Sequence, residues 1–175
     1  MSRPKLSIGM PTHSDALGVW STIQSIRLMF PKLMPVTELL VIDQAPNSDH
    51  GKATKQFLSW VHGDVHSVRY IPFTEVPGSA PAKDKVFQEA SGEVVVCCDS
   101  HVIFWENALN RILSYFEEHP ISGDLIQGPM VYDNLSSYST HLMDIWSSEQ
   151  WGQWAEVWRC RCGKMLEPIF FRESI

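Results

Sequence analysis

Apolar residues along this chain fall into short blocks separated by polar turns, and the spacing inside the blocks alternates between two kinds. Leu6, Ile8 and Met10 belong to a short strand-like block that Pro11 interrupts. Beyond it Leu17, Trp20, Ile23, Ile26, Leu28 and Phe30 recur about every three or four positions, which predicts a helix. Residues 38–43 form an apolar run too short for a helix and ending in Asp43, and residues 44–49 are turn chemistry. A second helix is predicted over residues 52–61, from Ala53, Phe57, Leu58 and Val61, and a third strand over 68–72.

The next segment opens with Pro77 and Gly78. Ser79 suits a helix N-cap and Pro81 the first turn, where a missing N–H costs nothing, so a helix is predicted up to Ala90. Residues 93–98 then read as a strand buried on both faces. After Asp99-Ser100-His101 a helix is predicted from near Glu106, carrying Ala108, Ile112, Leu113, Tyr115 and Phe116 and stopped by Pro120. Residues 125–132 form the last strand-like run. Strands alternating with helices predict an α/β fold with a mostly parallel sheet flanked on both faces. The segments after Met10, at Asp43 and at Asp99 all fall at carboxyl ends of strands, the edge where open α/β sheets bind ligands. Beyond Tyr138 the character changes, with Trp146, Trp151, Trp154 and Trp158 among Ser, Glu and Gln. The expected organisation is therefore a first domain over 1–135 and a Trp-rich lid or acceptor-side segment over 136–175.

Bulk properties narrow the function. A net charge of -6 without Lys/Arg blocks argues against a nucleic-acid partner, whose phosphates demand clustered cations. No apolar run approaches the roughly eighteen residues of a bilayer span. The N-terminus lacks the apolar core of a secretory signal. Cys97 and Cys98 lie inside a strand-like run, as buried thiols do, and Cys160 and Cys162 have no second pair to complete a zinc site. A reducing, cytoplasmic compartment is the expectation.

The chemistry concentrates at Asp99-Ser100-His101. A carboxylate and an imidazole two residues apart can face one cation, and oxygen plus nitrogen ligation favours Mn²⁺ over Mg²⁺. The plainer alternative is an Asp and a His that satisfy a strand-to-helix loop. Lys83 and Lys85 sit near a helix start, where an anion such as a diphosphate would be welcome; otherwise they are solvated lysines. Asp43 either accepts from a ribose or base or caps its own turn. Pro11 and Thr12 form an exit loop beside the same edge. The tryptophans suit either stacking on sugars or a core.

In combination these segments resemble a known pattern. LSIGMPTHSD, ELLVIDQAPNSD and PGSAPAKDKVFQEASGEVVVCCDSHV are similar, in that order, to segments of the family 2 glycosyltransferases and the polypeptide N-acetylgalactosaminyltransferases. The D-S-H triplet resembles the metal motif of the latter. The resemblance covers roughly residues 5–132 and implies a GT-A, Rossmann-like fold. It implies that Pro11, Thr12, Asp43, Lys83, Asp99 and Ser100 bind a nucleotide-diphospho-sugar, and that Asp99 and His101 hold Mn²⁺ or Mg²⁺. It also implies transfer of the sugar, with inversion, to a hydroxyl on a carbohydrate or other acceptor.

Two departures stand out. Gln44 follows Asp43 where the family usually carries an acidic residue, and the downstream Gly-rich acidic segment that supplies the base is missing. Glu149, Glu156, Glu167 and Glu173 remain as stand-ins, and the 175 residues are expected to be a truncated form. The rival readings are a non-catalytic nucleotide-sugar-binding module and a nucleotidyltransferase. The latter would normally place a basic Gly-rich loop after the first strand, where Gly9-Met10-Pro11-Thr12 stands.

Overall fold

The computed structural model describes residues 2–61, 63–126, 130–131, 138–139, 141–147 and 150–155. The chain divides into two compact units, Met1–Pro120 and Ile121–Ile175. The expected boundary near residue 135 falls outside the described residues.

In the first unit, strands β1 (Leu6–Thr12), β2 (Thr37–Asp43), β3 (Ser67–Pro72) and β4 (Val94–Cys97) form a parallel sheet. Their order is β3-β2-β1-β4, so β1 is central and the chain crosses over it to reach β4. The helices are α1 (Ala16–Met29), α2 (Asp49–Trp60), α3 (Ser79–Glu89) and α4 (Ala108–Glu118). Pairing of β1 with β4 ends at Gly9 and Cys97, although β1 itself continues through Pro11. The Gly9 carbonyl accepts from Cys98 N–H, so residue 11 points toward β4 as well, beyond the end of that strand. The N–H that proline lacks is not needed there.

Side-chain parity sorts the two layers. Leu6, Ile8 and Met10 of β1 join Leu39 and Val41 of β2 in one buried cluster with Val19, Ile23 and Ile26 of α1, Leu58 of α2 and Leu109 and Leu113 of α4. On the opposite face Ile42 packs with Ala82 and Val86 of α3. The buried stripe of α1 is Gly18, Val19, Thr22, Ile23 and Ile26. Leu17, Trp20 and Leu28, which contribute to the helical periodicity, are exposed. Counting apolar residues found the helix but not its buried face, because Gly18 and Thr22 carry no apolar signal.

Gly9 allows α3 its close approach. A Cβ built at Gly9 would lie 2.1 Å from Val86 Cγ1. Gly9→Ala should therefore destabilise the first unit by about 1–3 kcal/mol, the usual range for overpacking. Adding Val86→Ala should recover most of the loss, as measured by denaturant unfolding.

The amino-end edge of the sheet carries a closed polar network. Glu38 is 2% exposed. Its carboxylate accepts from Ser7 Oγ at 2.6 Å, Ser91 N–H at 2.9 Å and Arg69 Nη1 at 3.3 Å. Arg69 also binds Glu89, which in turn holds Lys85 at 2.8 Å, so Lys85 belongs to this framework. Burial alone would raise the Glu38 pKa, but the bonds from Ser7, Ser91 and Arg69 outweigh it and hold the group below its ordinary 4.5. A lowered folded pKa contributes stability above the unfolded value and loses it as pH falls through the folded one. Glu38→Gln should thus be less stable than the native protein at pH 7. In urea titrations the gap should narrow steadily as the pH drops below 4.5.

Among its described residues the second unit contains two antiparallel pairs: β5 (Met130–Val131) with β6 (Tyr138–Ser139), and β7 (His141–Ser147) with β8 (Gln150–Ala155). Trp146 and Trp151 are register partners. Of the strand expected over 125–132, only Met130–Val131 is strand among the described residues, and it pairs in antiparallel fashion. Pro129, which has no N–H for a ladder, immediately precedes it.

Candidate functional site

The carboxyl ends of the four parallel strands lie along one edge of the sheet, the edge where open α/β sheets bind ligands. A cleft of about 490 Å³ lies there, within the size range of small-molecule sites. Each strand exit contributes to its wall: Pro11, Thr12, His13 and Asp15 after β1, Gln44 after β2, Phe73 and Thr74 after β3, and Asp99, Ser100 and His101 after β4. Gly78 and Ser79, at the start of α3, complete it.

Five expected site residues, Pro11, Thr12, Asp99, Ser100 and His101, meet in this cleft. Asp99 is half-exposed and its Oδ1 lies 2.9 Å from Lys83 Nζ, so the strand end and α3 are joined by an ion pair. His101 is largely exposed, and its Nδ1 lies 3.1 Å from Asp15 Oδ2. Asp99 and His101 therefore share a wall but engage different partners. Among the described residues no cluster of three or more His, Cys, Asp or Glu could hold a metal by itself. Thr12 is 5% exposed, and its hydroxyl has no hydrogen-bond partner. An unpaired buried hydroxyl is costly, and this one belongs to a residue of the cleft wall.

Asp43 does not line the cleft. Positions 39, 41 and 43 of β2 share the face toward α1 and α2, so Asp43 follows Leu39 and Val41 beneath the sheet edge. Its Oδ1 accepts from Ala45 N–H at 2.8 Å and its Oδ2 from the Tyr70 hydroxyl at 2.6 Å. Burial and the Asp43 charge push the Tyr70 hydroxyl well above its usual pKa, so it stays a donor. Of the two readings of Asp43, turn capping is the one these bonds display. The neighbouring Gln44 faces the cleft and donates from Nε2 to Val76 O at 3.0 Å. Ser79 is not the N-cap of α3. The chain enters α3 one residue earlier, at Gly78, so Ser79 is the first helical residue and no side chain caps the end.

Asp15, Gln44 and the Phe73-Thr74 exit were not foreseen. Asp15 stands just before the first apolar helix stripe, which marks it as a cap, but nothing local links it to His101, 86 residues away. Burial pushes the Cys97 thiol up to about 11, which suits a packing role. Glu149, Glu156, Glu167, Glu173, Cys160 and Cys162 lie outside the described residues, as does Trp158.

Similar proteins bear on this geometry. A mannosyltransferase, PcManGT from Pyrobaculum calidifontis in complex with GDP-Man and Mn²⁺, superposes with a TM-score of 0.56 at 20% identity, covering 75% of this chain and 36% of that one. Residues 1–349 of TarS from S. aureus superpose with a TM-score of 0.52 at 18% identity, covering 70% and 38%. The same region of TarS in complex with UDP gives 0.51 at 19% identity, again covering 70% and 38%. These likenesses establish a shared fold, and this chain spans little more than a third of those proteins. No curated protein matches it. The model of glycosyl transferase family 2 matches residues 7–167, which takes in both the parallel sheet and the paired strands beyond it; the chain belongs to that family.

Proposed function

We propose that this chain binds a nucleotide-diphospho-sugar in the switch-point cleft and transfers the sugar to an acceptor hydroxyl in a metal-dependent reaction, with inversion. The observation that carries this reading is the convergence of all four strand exits on one cleft holding Asp99, His101 and Thr12, with Lys83 bonded to Asp99. Family membership and the nucleotide complexes of PcManGT and TarS support it.

The donor set fits a divalent cation such as Mn²⁺ or Mg²⁺. One carboxylate and one imidazole reach the cleft wall, and with two protein donors the remaining positions are left to diphosphate oxygens and water. When bound, the cation would neutralise charge on the leaving diphosphate. Lys83 adds a second positive charge beside the same group, and the uncapped amino end of α3 adds N–H donors. Thr12 lines the cleft wall, and Gln44 offers an amide to the nucleoside. Asp43 supports that end through Ala45 and Tyr70 rather than by contact. An inverting transfer also needs a carboxylate to take the acceptor proton, and Glu149, Glu156 and Glu173 are this chain's candidates. Residues 136–175 would then serve the acceptor side. Free thiols at Cys97 and Cys98 suit a reducing, cytoplasmic setting.

Calorimetric titration with UDP and GDP, each with and without Mn²⁺, tests the donor site, and sugar-nucleotide turnover tests the reaction. One nucleotide should bind only with the metal, and Asp99→Asn should remove that dependence. Lys83→Ala should weaken binding by about 1.5–3 kcal/mol, the worth of a charge-assisted bond, or roughly ten- to hundredfold. Binding without turnover would favour the non-catalytic module. Failure of both nucleotides to bind under any metal condition would refute the proposal.

A further inference from the structure

The loop bearing Asp99-Ser100-His101 is stapled to the first turns of α1 by side chains that the transfer reaction itself does not require. Thr22 of α1 donates from Oγ1 to Ser100 O at 3.0 Å and accepts from Val102 N–H at 2.9 Å. Asp15 completes the attachment. Its Oδ1 caps α1 by accepting from Gly18 N–H at 2.9 Å. Its Oδ2 accepts from Ser100 Oγ at 3.0 Å and faces His101 Nδ1 at 3.1 Å.

The position is built for this carboxylate. A Cβ at Gly18 would lie 2.1 Å from Asp15 Oδ2 and 2.7 Å from Ser100 O, so residue 18 has no side chain where the two loops meet. Ser14, just before Asp15, has a φ of 56°, a left-handed conformation that non-glycine residues seldom adopt. A plain helix cap needs neither feature, because capping uses only one carboxylate oxygen.

We infer that Asp15 is the positioning residue for His101: it accepts the proton on Nδ1 and so leaves Nε2 with the free lone pair, turned to the cleft. An ionised carboxylate can only accept, so the nitrogen it faces must carry hydrogen. In a neutral imidazole the other nitrogen is then the ligand atom. Metal-binding histidines are generally oriented by such a partner, and removing it typically costs about 10–100-fold in metal affinity. The inference deepens the proposed metal site and rests on that reading, but the tautomer it assigns is a property of the metal-free protein.

Two measurements on the full chain separate these layers. In metal-free protein, long-range ¹⁵N–¹H correlations of His101, recorded where the imidazole is neutral, should show hydrogen on Nδ1. Asp15→Ser retains a capping oxygen for α1 but is too short to reach His101, and the tautomer should then shift toward Nε2–H. A native protein with hydrogen mainly on Nε2 overturns the inference whatever the metal does. With Mn²⁺ and whichever of UDP and GDP binds, electron spin echo spectra should show ¹⁴N coupling that disappears in His101→Ala, while Asp15→Ser lowers Mn²⁺ affinity about 10–100-fold. Native affinity and coupling in Asp15→Ser overturn the role of Asp15 alone. Absence of nitrogen coupling in the native protein overturns the metal reading and, with it, the role toward the metal.

Discussion

Burial of β1 between two parallel neighbours is the constraint on which the rest of the first unit depends. Leu6, Ile8 and Met10 are fully buried, and the strand is covered by α1 and α4 on one face and by α3 on the other. With β2 and β4 on opposite sides, the exit loop of β1 lies beside those of its neighbours, and the cleft sits at these strand ends. Gly9 sets how close α3 comes, and α3 carries Lys83 to Asp99. Packing on one face of a single strand therefore fixes where the Lys83 ammonium meets Asp99 at the sheet edge.

The charges in the cleft follow from that placement. Asp99 lies two residues beyond β4 and meets a lysine from α3, while His101, two residues on, meets a carboxylate from the turn before α1. Asp99 is thus tied to the α3 side of the sheet and His101 to the α1 side, and Ser100, nearly buried between them, is tied to Asp15 and Thr22 on the α1 side as well. Burial would raise the Asp15 pKa, yet its bonds from His101, Gly18 and Ser100 hold it below the ordinary value. The loop consequently keeps an anion on its α1 side and a cation on its α3 side, with the exposed faces of Asp99 and His101 between them.

How much of this was legible in the sequence depended on the range of the interaction. The strands at β1, β2, β3 and β4 and the helices between them follow from local periodicity and turn residues, and they fall within a few residues of expectation. The polar triplet after β4 was legible for the same reason, since a strand must release its chain at the sheet edge, although β4 is only half-buried and not, as expected, buried on both faces. Asp43 was placed correctly at a strand end, but parity turned its side chain under the sheet, and parity needs to know which helix covers which face. Leu17 and Trp20 carried a helical signal without being core, because the buried stripe of α1 uses Gly18 and Thr22. Asp15 could be read as a cap from its neighbours. Its meeting with His101 exists only because β1 and β4 pair.

The two ends of the sheet show how similar residues come to have different uses. At the amino end Ser7, Glu38, Arg69, Glu89 and Lys85 form a network whose charges answer one another, and Glu38 is almost wholly shielded from water. A charge so enclosed has no capacity left for a ligand, and its consequence is pH-dependent stability. At the carboxyl end Asp99 and His101 each have one partner and an exposed flank, Thr12 keeps an unpaired hydroxyl, and the first N–H groups of α3 lack a side-chain cap. Leaving polar groups unanswered costs stability unless something arrives to satisfy them. All of these groups belong to residues that line or adjoin one cleft. Residue types alone do not separate the two ends; the balance of satisfied and unsatisfied groups does.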